Sequence, residues 1–294
     1  MKVLLTGSRG FVGSHLLKRL ILDYGKECVV ALTSKEISDC ESYIYQSFGN
    51  FNLSNHCFND IDIVVHAGAF TPKTTDQANC ISSSNSNIHF TNQLLSALGP
   101  QTKKIVYLST LDVYAAEQLI TESSPLDPAS LYGMSKLYCE RMIKAYGEEN
   151  EVDIQILRLG HVYGPGEEAY QKLLPTIIKN VLCDNPVEIW GDGAILRSFI
   201  YIGDVVNAIL ASIEGPPHRI INVVGGRSIC IKDLVSKVIE MKGCGHDVIF
   251  KQSELKGKDL VFDNSLLLAT LIESETSLED GLKVEFEYMK GLLS

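Results

Sequence analysis

Short runs that are apolar on both faces alternate with longer amphipathic stretches through residues 1–160. Lys2–Thr6, Cys28–Leu32, Tyr43–Gln46, Ile61–His66, Lys104–Ser109 and Asp153–Leu159 are short, and several are rich in β-branched residues. That is the pattern of parallel strands buried on both faces. Between them, Phe11–Leu22, Asn85–Leu98 and Leu131–Glu149 carry a helical period. Strand and helix in alternation predict βαβ units, hence an α/β fold on a doubly wound parallel sheet.

The pattern then loosens. Gly164, Pro165 and Gly166 break the chain after the sixth strand. A helix is expected at Leu173–Leu182 and a strand at Val187–Trp190. A second helix is expected at Asp204–Ile213, with Asp204 near its N-cap and Gly215-Pro216-Pro217 ending it. Ile220–Val224 reads as a strand and Ile231–Met241 as a helix. This region is too short and interrupted to stand alone, and is expected to fold against the sheet's carboxyl edge.

Composition narrows the function. The chain has 294 residues, 45% hydrophobic and 21% charged, with 36 acids against 26 bases and a net charge of -10. Such a balance disfavours nucleic acid and anionic membrane as partners. No stretch approaches the ~20 apolar residues that span a bilayer. None of the eight cysteines forms a C-x-x-C pair, and no zinc-ligand spacing occurs, so no metal is expected. These features predict a reduced, cytoplasmic protein.

Two motifs carry chemistry. The first strand runs into Gly7-Ser-Arg-Gly10-Phe-Val-Gly13, which opens a helix. Glycines at this spacing let a pyrophosphate approach the backbone and sit on the helix N-terminus, so Gly7, Arg9, Gly10, Phe11, Val12 and Gly13 are expected to hold a dinucleotide. The second strand ends at Thr33-Ser34-Lys35, where a carboxylate would mark NAD. A hydroxyl and a cation stand there instead, which favours NADP(H), with NAD(H) the alternative. Asn52 and Leu53 are placed to touch the adenine edge, and Ala67, Gly68 and Ala69 are small residues where the cofactor passes.

The second motif is Tyr132 with Lys136, on one face of a predicted helix. Of twelve tyrosines, this one alone has lysine four residues on. The preceding strand ends in Ser109-Thr110, at the edge where ligands bind. A free phenol has a pKa near 10, and nearby positive charge favours its phenolate. Tyr132 is thus the expected general acid/base. Lys136 is expected to lower its pKa and hold the nicotinamide ribose, and Thr110 to hydrogen-bond the substrate oxygen.

Together these stretches resemble the extended short-chain dehydrogenases/reductases, which include nucleotide-sugar epimerases, dehydratases and 4-ketoreductases. The resemblance rests on T-G-x-x-G-F-V-G at 6–13, H-A-G-A at 66–69, S-T-x-x-V-Y at 109–114 and Y-G-x-S-K at 132–136. It continues in R-L-G-H-V-Y-G-P-G at 158–166, W-G-D-G at 190–193 and R-S-F-I-Y-I-G-D at 197–204. It implies a Rossmann domain at residues 1–158 plus about 196–215, and a smaller substrate domain at about 159–195 and 216–294. Asn87 would meet the cofactor; Thr71, Thr110, His161 and Arg197 would meet the substrate, with Arg197 on its diphosphate. A homodimer is also implied, through Asn85–Leu98 and Leu131–Glu149.

The departures refine the expectation. His161 stands where the family has asparagine, and Ser198 and Gly203 where two aspartates are common. Leu111 follows Thr110 where the 4,6-dehydratases carry an acid, which argues against a dehydratase. The leading expectation is an NADPH-dependent reductase of a nucleotide-linked 4-keto sugar. The alternative is a nucleotide-sugar epimerase that keeps NAD bound, and a more remote one is a non-catalytic cofactor-binding protein.

Overall fold

The computed structural model describes residues 1–45, 53, 58–170, 172–217, 219–243, 245–252 and 259–294. Gln46, at the expected end of the third strand, and Asn52, the expected adenine contact, lie outside them.

Six strands open the chain: β1 (Val3–Thr6), β2 (Val29–Thr33), β3 (Glu41–Ile44), β4 (Ile63–His66), β5 (Lys104–Thr110) and β6 (Asp153–Leu159). They alternate with α1 (Phe11–Tyr24), α2 (Thr75–Ala78), α3 (Ile81–Ala97) and α4 (Leu131–Asn150). Next come β7 (His161–Tyr163), α5 (Leu173–Leu182), β8 (Val187–Trp190), β9 (Leu196–Tyr201), α6 (Ile202–Glu214) and β10 (Arg219–Val223). The chain ends with β11 (Ser228–Cys230), α7 (Ile231–Lys242), β12 (Val248–Lys251), α8 (Ser265–Thr270) and α9 (Leu278–Leu293).

The main sheet has seven strands in the order β10-β6-β5-β4-β1-β2-β3. Each pairing among β1 to β6 is parallel. The strand order reverses between β1 and β4, so a crevice opens at their carboxyl ends, the place where doubly wound sheets bind ligands. β1, β2 and β4 are buried along their whole length, as their unbroken apolar runs predict. Leu4, Val30, Val64, Phe90, Ile105 and Ile156 belong to one core cluster of this sheet and its helices.

The chain divides into two compact units: Met1–Ala115 with Pro125–Leu159 and Val206–Asn222, and Ala116–Ser124 with Gly160–Val205 and Val223–Ser294. The second unit holds a three-stranded sheet, β11-β9-β7, and the parallel pair β12-β8. Its own core gathers Leu174, Ile178, Val181, Leu234, Leu282 and Phe286 from α5, α7 and α9.

Local chemistry sets the helix ends. The Ser130 hydroxyl caps α4 by accepting from Gly133 N–H at 3.1 Å. At the other end of α6, buried Lys104 donates to the carbonyls of Ser212, Ile213 and Gly215, an ammonium on the negative end of the helix. Asp204 lies in the first turn of α6, near its start as expected, rather than at the cap position itself. Its carboxylate instead accepts from the backbone and hydroxyl of Thr276, both at 2.8 Å. α2, β7, β9, β11, β12, α8 and α9 are elements not expected from the sequence. The four strands have three to six residues each, too short to show a period.

Candidate active site

The turn from β1 to α1 is drawn tight. Gly10 N–H donates to Gly7 O at 2.9 Å. Gly7 has φ +71°, and a Cβ there would lie 2.7 Å from the Gly68 backbone, so only glycine fits. α1 starts after Gly10 with no side-chain cap and no acid in its first turn. Its first N–H groups therefore remain for an anion, and Gly7, Arg9, Gly10, Phe11, Val12 and Gly13 can hold a dinucleotide's pyrophosphate. Thr33, at the end of β2, is buried, while Ser34 and Lys35 are exposed. Leu53 packs in the core, and its N–H donates to Gln93 Oε1 at 2.9 Å.

Register puts Thr6 beside His66 at the carboxyl ends of β1 and β4. Gly68 N–H donates to the Thr6 hydroxyl at 2.8 Å, which leaves the hydroxyl proton for His66 Nδ1 at 2.9 Å. The Thr91 hydroxyl donates to Asn87 O at 2.9 Å, so it accepts from His66 Nε2–H at 3.0 Å. The network thus assigns the Nε2–H tautomer. Burial, then the nearby Lys136 charge, lowers the His66 pKa to about 3, so the ring is a neutral strut. It fixes the Ala67–Gly68–Ala69 segment beside the glycine turn.

Asn87 secures the next stretch. Its Oδ1 accepts from Phe70 N–H at 2.7 Å, and its Nδ2 donates to Phe70 O at 3.3 Å and to Ser135 Oγ at 3.2 Å. The Ser135 hydroxyl in turn donates to Tyr132 O at 2.7 Å. One amide therefore ties the loop before Thr71 to the first turn of α4.

Tyr132 and Lys136 lie on the buried face of α4. The Thr110 and Thr71 side chains lie beside the Tyr132 phenol and favour its ionised form. Burial, then the Asp112 carboxylate, holds its pKa above the ordinary phenol value, so these surroundings keep the phenol protonated at neutral pH. Thr110 ends β5 and caps the short turn that follows, accepting from Asp112 N–H at 3.3 Å. The Lys136 ammonium donates to Leu108 O at 2.6 Å and lies 4.3 Å from the centre of the Tyr107 ring. Burial lowers its pKa to about 8, which leaves it mostly charged at neutral pH.

Two further residues brace this face, and the sequence reading gave neither this role. Glu140 continues the i, i+4 spacing of Tyr132 and Lys136 by one more turn. It accepts from Arg158 Nε at 2.9 Å and from a terminal Arg158 nitrogen at 2.7 Å, and from the Ser109 hydroxyl at 2.6 Å. Both side chains are almost wholly buried. Arg158 also stacks over Tyr114, whose hydroxyl donates to Asn222 at 2.7 Å. An arginine next to the end of a largely apolar strand was the readable signal, since a buried guanidinium needs a buried acid.

In the second unit, His161 on β7 pairs in register with Phe199 on β9, two residues from Arg197. Burial first, then the Arg197 and Lys172 charges, lowers the His161 pKa to about 4. Its ring is therefore neutral at physiological pH. Its Nδ1 is buried without a hydrogen bond. The Arg197 guanidinium donates to Leu196 O at 2.8 Å.

The parallel sheet, the glycine turn on α1 and the tyrosine–lysine pair on α4 define the plan of the extended short-chain dehydrogenases/reductases. The chain belongs to the NAD dependent epimerase/dehydratase family, whose model matches residues 3–224. It is 28% identical to the UDP-glucose epimerase YtcB of Bacillus subtilis, itself uncharacterized, over 99% of both chains. It is 27% identical to human dTDP-D-glucose 4,6-dehydratase over 82% of this chain and 73% of that one. Among solved structures it resembles UDP-glucuronic acid 4-epimerase from Bacillus cereus in complex with NAD, at 29% identity, TM-score 0.83 and full coverage of both chains.

Proposed function

We propose that the protein is an NAD-dependent epimerase of a nucleotide-linked sugar, with Tyr132 as its general acid/base. The observation that carries this reading is the Tyr132 phenol, buried on α4 beside the Thr110 and Thr71 side chains. One solved structure similar over the whole chain is a UDP-glucuronic acid 4-epimerase in complex with NAD. That favours the epimerase alternative over NADPH-dependent reduction, and NAD over NADP. The missing carboxylate at Thr33 was a weak guide, since Ser34 and Lys35 are exposed and their side chains are free to turn from the ribose.

NAD, when bound, supplies the acceptor and donor of the hydride. Gly7, Arg9, Gly10, Phe11, Val12 and Gly13 hold its pyrophosphate, and Ala67, Gly68, Ala69 and Asn87 shape the wall beside it. Lys136, anchored on Leu108 O, keeps its remaining N–H groups for the ribose hydroxyls. Its charge favours the Tyr132 phenolate against the burial that opposes it. Tyr132 takes the sugar hydroxyl proton and later returns it, while Thr110 and Thr71 orient the reacting oxygen. In the second unit Arg197 holds the diphosphate, and the His161 Nδ1 accepts a hydrogen bond from the substrate.

The exposed apolar side chains Ile81, Met134 and Tyr138 on α3 and α4 support a homodimer through these helices. A monomer at micromolar concentration by light scattering contradicts the dimer.

The test of function begins with protein denatured to release its cofactor, identified by mass spectrometry. The native preparation is then given UDP-glucose or UDP-glucuronic acid and followed by NMR. Release of NAD, and a C4 epimer formed with no net change in NADH or NADPH, are expected. Net consumption of NADPH with a 4-keto sugar, and no epimer, overturns the proposal.

A further inference from the structure

The second unit buries three acids that the reaction does not use, and two of them, Glu167 and Glu285, lack the backbone and hydroxyl donors that satisfy the third, Asp204. Glu285 lies on α9 one turn beyond Gly281, on the same buried face. At Gly281 a Cβ would sit 2.0 Å from the Tyr163 hydroxyl, so the missing side chain is what admits the phenol. Glu167 lies in the single turn that follows Gly164-Pro165-Gly166. Glu285, Tyr163 and Glu167 are 1%, 1% and 3% exposed. Both oxygens of Glu285, Glu167 Oε2 and the Tyr163 hydroxyl are buried with no hydrogen-bond partner. Glu167 Oε1 meets Lys172 Nζ at 3.3 Å, but the Lys172 side chain is 43% exposed.

Two ionised carboxylates at the edge of an apolar core, Glu285 with no hydrogen bond and Glu167 held through one oxygen only, cost far more than one half-solvated ammonium offsets. The pair needs positive charge, and a proton is the smallest carrier of it. We propose that Glu167 and Glu285 form a proton-holding pair, protonated on at least one carboxyl at neutral pH, whose ionisation in mildly alkaline solution loosens the packing of α9 on β7.

The electrostatics agree with the geometry. Burial raises the Glu167 pKa to about 7, against the pull of Lys172. Burial, then Glu167 and Glu168, raises that of Glu285 to about 8. The other groups facing the pair are Tyr163 on β7 and Tyr201 on β9, with Asp204 and Glu275 beside Tyr163. Among these groups Lys172 alone is positive. The sign follows from linkage. In acid, both carboxyls are protonated folded or unfolded, and the stability is whole. Above the ordinary carboxyl pKa the unfolded chain releases protons that the folded chain retains, so stability falls until the pH passes about 8.

Thermal unfolding of the wild type and of Glu285→Gln, at pH 6 and pH 9, tests this. Glutamine matches the protonated acid in shape and cannot ionise. Glu285→Gln should gain on the wild type by about 3 °C or more between pH 6 and pH 9. Infrared difference spectra between these pH values should show a protonated-carboxyl band in the wild type that weakens in the variant. A stability difference constant within about 1 °C and no such band would overturn the proposal. If Glu285→Gln fails to fold, Glu167→Gln carries the same readouts. Replacing sodium chloride by choline chloride at equal ionic strength checks the rival occupant. If the wild type weakens at pH 9 only in choline, an alkali cation neutralises the pair and the proposal falls.

Discussion

The two units differ in how fully their buried ionisable groups are partnered. In the first, Arg158 and Glu140 pair at both ends of their forks, Lys136 rests on a carbonyl and a ring, and Lys104 caps a helix. His66 spends both nitrogens. In the second, Glu285, Tyr163, one oxygen of Glu167 and Nδ1 of His161 are buried without hydrogen bonds. The first unit holds these groups in fixed partnerships, as sites that must keep a reacting group within tight tolerance require. The second keeps polar atoms that a proton or a ligand can still claim. Its stability should therefore answer to solution conditions more than that of the first.

The largest expected effect lies in the first unit. Tyr132→Phe removes the hydroxyl that moves the proton but leaves the ring that packs on α4. Turnover should fall by about 10²- to 10⁴-fold, the worth of a positioned general acid/base. NAD binding, followed by fluorescence titration, should change little. If the variant keeps more than about a tenth of the wild-type kcat while chemistry limits the rate, Tyr132 is not the proton carrier.

The next effect sets the units directly against each other. Glu140→Gln leaves the Arg158 guanidinium buried without a counter-charge and should cost about 3–5 kcal/mol. Urea unfolding would register it as a lower midpoint at unchanged m-value. Glu285→Gln should do the reverse above pH 8, because it removes a charge that has no partner. Two carboxylates are thus changed alike with opposite outcomes. Equal losses from both variants would erase the contrast.

The same contrast explains what the sequence disclosed. The Rossmann order was legible because β1, β2, β4 and β5 are apolar runs with no alternative use. The glycine turn and the Tyr132–Lys136 spacing sat where that order demanded them. Glu140 and Arg158 were harder to see, since their meaning depends on α4 crossing β5 and β6, a non-local fact. In the second unit, β11 and β12 have three and four residues and owe their pairing to the tertiary fold. α9 has a clear amphipathic period and is legible in the sequence by that measure. The acid pair could not be anticipated, because Glu167 and Glu285 stand 118 positions apart (285 minus 167) and each alone looks like a surface residue.

The smallest expected effect concerns cofactor choice, where sequence chemistry pointed to NADP and the NAD-bound neighbour points away. Lys35 is exposed. A solvated lysine on an exposed loop contributes about 0–1 kcal/mol to a charge contact. With NAD there is no 2′-phosphate to meet, so Lys35→Ala should shift the NAD dissociation constant by less than about twofold. For NADP the same change should weaken binding by up to about fivefold, and added salt should remove the difference by screening. Because no carboxylate stands at Thr33 to repel a phosphate, wild-type preference for NAD should itself be modest, under about tenfold. Titration of all four combinations decides the matter. A loss of NAD affinity beyond about fivefold in Lys35→Ala would place the ammonium on the ribose or pyrophosphate. A wild-type preference for NADP would return the balance to reductive chemistry.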